Sequence, residues 1–151
     1  MYDRVVGVRD GHKIRGDFEE FRRGFDEQPL NKMLGITVLE CRPGFARICL
    51  TRTSQTPTGI GGSVHGGVLA AMVDIVMLVA IMTELRPGEQ PAGTADLSIS
   101  YLRPTHGEHV YADATVVKHG RQLAMIEVSI MDDKDRLCAK GRILYAFRAG
   151  S

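Results

Sequence analysis

Residues 63–82 read SVHGGVLAAMVDIVMLVAIM, a run apolar on almost every side with a single carboxylate, Asp74, inside it. An unpaired charge in an apolar setting is expensive, so Asp74 calls for a compensating partner or a task. The run is about as long as the shortest bilayer span. Asp74 at its centre, its Ala, Gly and Met content, and the lack of a flanking basic cluster read instead as the central helix of a globular core. The helix is predicted to start near His65 and to run through residues 66–83. A helix apolar all round must be covered all round, by a strongly curved sheet helped by a second subunit.

The flanking segments supply that sheet. Upstream, ITVLECRPGFARICLTR (residues 36–52) reads as a hairpin turning at RPG, and TSQTPTGIGGS (residues 53–63) as a loop. Downstream, RPGEQPAG (residues 86–93) breaks the chain, and the remainder alternates with the period of strands. Leu97, Ile99 and Tyr101 mark one strand, and Val110, Ala112, Ala114 and Val116 the next. Ala124, Ile126, Val128 and Ile130 mark a third. Leu137, Ala139, Gly141, Ile143, Tyr145 and Phe147 line one face of the last. Phe18, Phe21, Phe25 and Leu30 predict a short amphipathic N-terminal helix, with Pro29 near its end or in a break before NKMLGI. The order is α+β: a long central helix wrapped by an antiparallel sheet, in one domain over residues 17–149 behind a flexible leader at 1–16.

Composition narrows the function. The 151 residues are 44% hydrophobic and 25% charged, with a formal net charge of +1 and no Trp, so neither a nucleic-acid surface nor a membrane partner is indicated. Cys41, Cys49 and Cys138 form no CxxC pair, which predicts buried free thiols in a reducing, cytoplasmic setting. His106 and His109 lack the further ligands of a metal site, and no cofactor is expected.

The chemistry gathers at GGSVHGGV, residues 61–68. The first N–H groups of a helix lack partners, and Gly66 and Gly67 have no side chains to shield them from a ligand oxygen. With the helix dipole they suit a carbonyl oxygen that gains negative charge. Asp74 lies roughly 12 Å further along the axis at 1.5 Å per residue, too far to serve its own helix start. Two such helices side by side and antiparallel would bring each carboxylate to the other's N-terminus, so the geometry asks for a dimer.

HGGVLAAMVD (residues 65–74) followed by TADLSISYLRPT (residues 94–105) resembles the hotdog-fold acyl-CoA thioesterases of the PaaI-like type, over roughly residues 34–147. The resemblance implies a curved antiparallel sheet around a long helix, and hydrolysis of an acyl- or aryl-CoA thioester. By position Asp74 is the catalytic carboxylate, as general base or nucleophile, and Gly66 supplies the N–H that polarises the thioester carbonyl, with Gly67 beside it. His65 helps hold the thioester end, and Thr94, two residues before the DLSISY strand, positions the attacking water. Gly59 stands where many relatives carry Asn or Gln, leaving Gln55, Thr58 or the helix N–H alone to assist. Leu69, Met72 and Met77 are expected to line the acyl pocket. Arg103, Lys118, His119, Gly120 and Arg121 are expected on the rim that takes coenzyme A. The implied partner is a second copy, with a dimer of dimers expected. Two other readings stay open: a hotdog hydratase or dehydratase of acyl thioesters, and a non-catalytic acyl-CoA binder.

Overall fold

A computed structural model describes residues 18–149. The expected leader at residues 1–16 lies outside the described residues. The N-terminal amphipathic stretch is two helices rather than one, α1 (Phe18–Asp26) and α2 (Pro29–Leu34). The break is Pro29. It forces the preceding residue out of the helical region, and Gln28 is extended at ψ 134°. Pro29 then opens α2, where its missing N–H costs nothing.

The hairpin follows as β1 (Ile36–Arg42) and β2 (Phe45–Thr51), and the central helix as α3 (Gly66–Met82). Strands β3 (Glu89–Tyr101), β4 (His109–His119), β5 (Leu123–Asp132) and β6 (Leu137–Ala149) complete one antiparallel sheet in the order β1-β2-β4-β5-β6-β3. The alternation read from the sequence holds along β5 and along β6 from Ala139 onward, whereas Leu137, expected on the inward face, is exposed. Ala124, Ile126, Val128 and Ile130 on β5, and Ala139, Ile143, Tyr145 and Phe147 on β6, face inward and are buried. β3 begins earlier than expected, at Glu89 inside the RPGEQPAG segment, so Thr94 lies within the strand rather than before it.

The sheet curves around α3, which packs against all six strands. The helix lies close against β6 at Gly141. A Cβ on Gly141 would sit 2.7 Å from Val73 Cγ1, so only glycine lets the helix lie this close, one residue before Asp74. Val73, Val76, Met72 and Met77 fill the core beneath the helix. Cys41, Cys49 and Cys138 are buried and unpaired. Burial, with the nearby Glu40 charge, pushes the Cys41 thiol up to about 11, which keeps it protonated and unreactive. Among the described residues no helix is long and apolar enough to cross a membrane.

The turn joining β5 to β6 hangs on Asp132, which is fully buried. It accepts the backbone N–H groups of Lys134 (2.9 Å) and Arg136 (3.0 Å) and the Arg136 Nε–H (2.8 Å). Burial opposes its charge, but these donors outweigh it and hold the carboxyl below its ordinary value of 3.8. A carboxyl lowered by folding contributes stability that is complete above its unfolded pKa and lost as pH falls through the folded one. The Asp132→Asn variant is therefore expected to melt lower than the wild type at neutral pH. It should then lose less Tm on acidification below about pH 4. Melting curves across that window check this.

Candidate active site

Helix α3 begins at a shaped donor site. His65 is the N-cap, extended at φ −56°, ψ 135°, and its Nδ1 accepts the Gly67 N–H at 2.9 Å. Its carbonyl accepts from Val68 and Leu69. The Gly67 donor is thus committed, whereas the Gly66 N–H has no acceptor among the described residues. Because His65 Nδ1 accepts, the proton of the neutral ring lies on Nε2, which makes that nitrogen a further donor. Tyr101 closes over the start of the helix and donates its phenol hydroxyl to the Gly66 carbonyl at 2.7 Å. A Cβ on Gly66 would come within 3.2 Å of that ring, so the glycine is what lets Tyr101 lie there.

A groove of about 540 Å³ opens at this point, and His65, Gly66, Leu69, Tyr101, Arg103 and Thr105 line it. The structure thereby brings together four of the expected residues: His65, Gly66, Leu69 and Arg103. Gly59 also lines the groove, but Gln55 and Thr58 do not. Thr105 was not singled out from the sequence. Its hydroxyl is the one buried side-chain polar atom without a partner among the described residues.

Asp74 stands elsewhere on the same helix. It is exposed in the protomer, not enclosed in a wall. Gly67, Ala71, Asp74 and Leu78 recur at four-three-four spacing along a stripe that the sheet leaves open. Leu78 is 43% exposed on that stripe, whereas Met72 and Met77 are fully buried against the sheet and do not border the open face. The Thr94 hydroxyl donates to Asp74 Oδ1 at 2.6 Å, so β3 and α3 bring these two expected residues into direct contact. Leu78 was missed by the sequence reading. Its position four residues after Asp74 was the available signal.

The expected coenzyme rim divides. Arg121 lies in an open groove of about 1010 Å³ together with Gln122 and two residues not foreseen, Arg86 and Arg148. Arg86 is tethered to the His119 carbonyl (2.7 Å) and lies 3.8 Å from Glu89. Arg121 and Arg148 have no ion-pair partner among the described residues. Lys118 is exposed outside this groove, and Gly120 shapes the β4–β5 turn, its N–H donating to the Leu123 carbonyl. His119 is not on the surface. The β4–β5 register skips a residue between Val116 and Lys118, and this bulge turns the His119 ring inward. There it meets Glu89 Oε1 at 2.9 Å and Glu84 Oε2 at 3.7 Å and stacks on Phe147 at 4.9 Å. Among the described residues no three His, Cys, Asp or Glu side chains are grouped to hold a metal ion.

A helix N-terminus with a free donor, wrapped by a six-stranded sheet, and a carboxylate held by a threonine further along define a hotdog enzyme. Residues 61–139 match the thioesterase superfamily. Human acyl-coenzyme A thioesterase 13 is 32% identical over 114 residues, 74% of this chain and 79% of that protein. The crystal structure of zebrafish thioesterase superfamily member 2 superposes with a TM-score of 0.72 at 30% identity, covering 84% of this chain and 93% of that one. The Escherichia coli PaaI protein from the phenylacetic acid degradation operon shares the fold, with a TM-score of 0.75 at 24% identity over 89% of this chain and 94% of its own. The chain belongs to the thioesterase superfamily and is a thioester hydrolase.

Proposed function

We propose that the protein is an acyl-CoA thioesterase that releases free acid and coenzyme A at a site shared between two subunits. The observation that carries this reading is the placement of Asp74 and the Gly66 N–H two turns apart on one helix. Neither can serve the other within a protomer, yet both are accessible.

Two features favour a second copy as the complement. The open stripe of Gly67, Ala71, Asp74 and Leu78 has the spacing by which helices pack side by side. Strand β3 is one edge of the sheet, thirteen residues long and mostly exposed, a ready template for pairing. Antiparallel apposition about a twofold axis sets each Asp74 opposite its partner's helix start. A dimer is the minimum, and a dimer of such dimers in the cytoplasm completes the reading. Residues 17–149 act as its one catalytic domain.

In this arrangement the Gly66 N–H, the helix dipole and His65 Nε2–H hold the thioester oxygen as it becomes an oxyanion. Asp74 of the other subunit, oriented by Thr94, takes the proton of a water that adds to the carbonyl carbon, or adds to that carbon itself to give an anhydride that water then opens to the free acid. The C–S bond then breaks, and the thiolate leaves without an obligatory general acid. Leu69 and Leu78 offer apolar contact to the acyl group, and Arg103 lies beside the thioester end. Arg121, with Arg86 and Arg148, presents guanidinium groups suited to the phosphates of coenzyme A, and Lys118 adds charge nearby on β4.

Free-thiol release measured across short, medium, long and aryl acyl-CoAs tests the function. Turnover of at least one class, with no hydration of an enoyl-CoA by absorbance, is the expected result. Enoyl hydration without thiol release would make the protein a hydratase. Binding without either reaction would make it a non-catalytic binder.

A further inference from the structure

Strand β6 carries a second hydroxyl toward Asp74. In the ladder between β3 and β6, Tyr145 stands directly across from Thr94, the residue whose hydroxyl holds Asp74. Residues paired in this way project from the same face of a sheet, with Cβ atoms about 5 Å apart. Thr94 and Tyr145 therefore address the same part of α3. Tyr145 is 5% exposed, and its hydroxyl makes no hydrogen bond among the described residues. The ring is fixed from the side. It meets Phe147 edge-on at 5.6 Å, and Phe147 stacks on His119, which is clamped between Glu84 and Glu89.

We propose that Tyr145 is a positioning residue of the hydrolytic site, its phenol hydroxyl joining that of Thr94 in holding the Asp74 carboxylate in its working orientation. The proposal rests on the assignment of Asp74 as the catalytic carboxylate.

Packing alone does not account for a tyrosine here. The neighbouring inward position on the same strand is Phe147, so this face accepts a plain phenyl ring. The Tyr145 oxygen is not among the sealed, unpartnered polar atoms of the described residues, so it stays free to donate at the site. Burial and the Asp74 charge both raise the Tyr145 pKa above its ordinary value of 10.0, so the group remains a proton donor throughout the working range of a hydrolase. The titratable groups facing this region are Asp74 from α3 and, further along the aromatic row, His119 on β4 with Glu84 and Glu89. Asp74 is the charged group whose field reaches the phenol. Hydrogen bonds of an empty site are commonly long and tighten once substrate closes it.

The test is Tyr145→Phe, which removes one oxygen and keeps the ring. We expect kcat to fall about tenfold or more, the scale of losing a hydrogen bond to a charged group, with KM and Tm held. The acid limb of the kcat profile, which reports the substrate complex, should move to higher pH, because a donated proton favours the ionised carboxylate. Combined with Thr94→Val, the loss should differ from the product of the single losses, since both hydroxyls act on one carboxylate. A Tyr145→Phe enzyme with wild-type kcat and acid limb would overturn the proposal. A lowered kcat with an unmoved acid limb would do the same, since it would mark a packing role. Full turnover by Asp74→Asn would instead overturn the assignment of Asp74 itself, so the two failures are distinguishable.

Discussion

Replacing Asp74 with Asn is expected to lower kcat by about 10²–10⁴-fold, the range attributed to a positioned acid–base group. The substitution isolates chemistry from structure. Asn presents an oxygen of the same reach, so the 2.6 Å hydrogen bond from Thr94 keeps an acceptor. Asp74 is exposed in the protomer, so no core packing changes. Tm and the affinity for acyl-CoA are expected to hold while thiol release collapses. An unchanged rate would remove Asp74 from the mechanism.

The second large effect is expected at Gly66→Pro. Gly66 is the first residue of α3, where proline fits because its missing N–H has no intrahelical acceptor to lose. His65 already has the extended backbone that a residue before proline requires, φ −56° and ψ 135°. The helix should therefore form as before. The donor assigned to the thioester carbonyl disappears, and removing one oxyanion donor lowers kcat by about 10²–10³-fold. The ring presses on Tyr101, which is 53% exposed and has room to swing outward. Gly66→Ala is the matched control. It crowds Tyr101 but keeps the N–H, so its loss should be much smaller. Equal losses in the two variants would assign the role of Gly66 to sterics rather than to its donor.

Much of the fold follows from periodicity. Period-two alternation places β4, β5 and β6 and their inward faces, and the apolar run with His65 at its head places α3. The differences have local causes. Pro29 splits the N-terminal helix because of what it does to Gln28. The bulge between Val116 and Lys118 shifts the phase of β4, and no residue type there announces it; the sequence alternation alone leaves His119 on the rim, but the structure buries it between two glutamates. Asp74 shows the limit of hydropathy. An all-round apolar helix implied all-round cover, yet the small residues Gly67 and Ala71 mark a stripe that the protomer leaves open. The resemblance placed Asp74 and Thr94 in one site with Thr94 positioning the water; their direct contact, twenty residues apart in sequence, was not legible there. The cluster of Arg86, Arg121 and Arg148 depends on the pairing of β3 with β6, which no local pattern encodes.

Mixing the two inactive variants puts the shared site to its most direct trial. Asp74→Asn and Gly66→Pro subunits, carrying different affinity tags, are co-expressed, and the doubly tagged species is purified and assayed for thiol release. If each site takes its carboxylate from one subunit and its donor from the other, every mixed dimer holds one intact site and one doubly altered site. Activity then returns to as much as half that of the wild type, far above either parent. If both groups came from the same protomer, every site in the mixture would carry one lesion. A doubly tagged species as inactive as its parents would contradict the account.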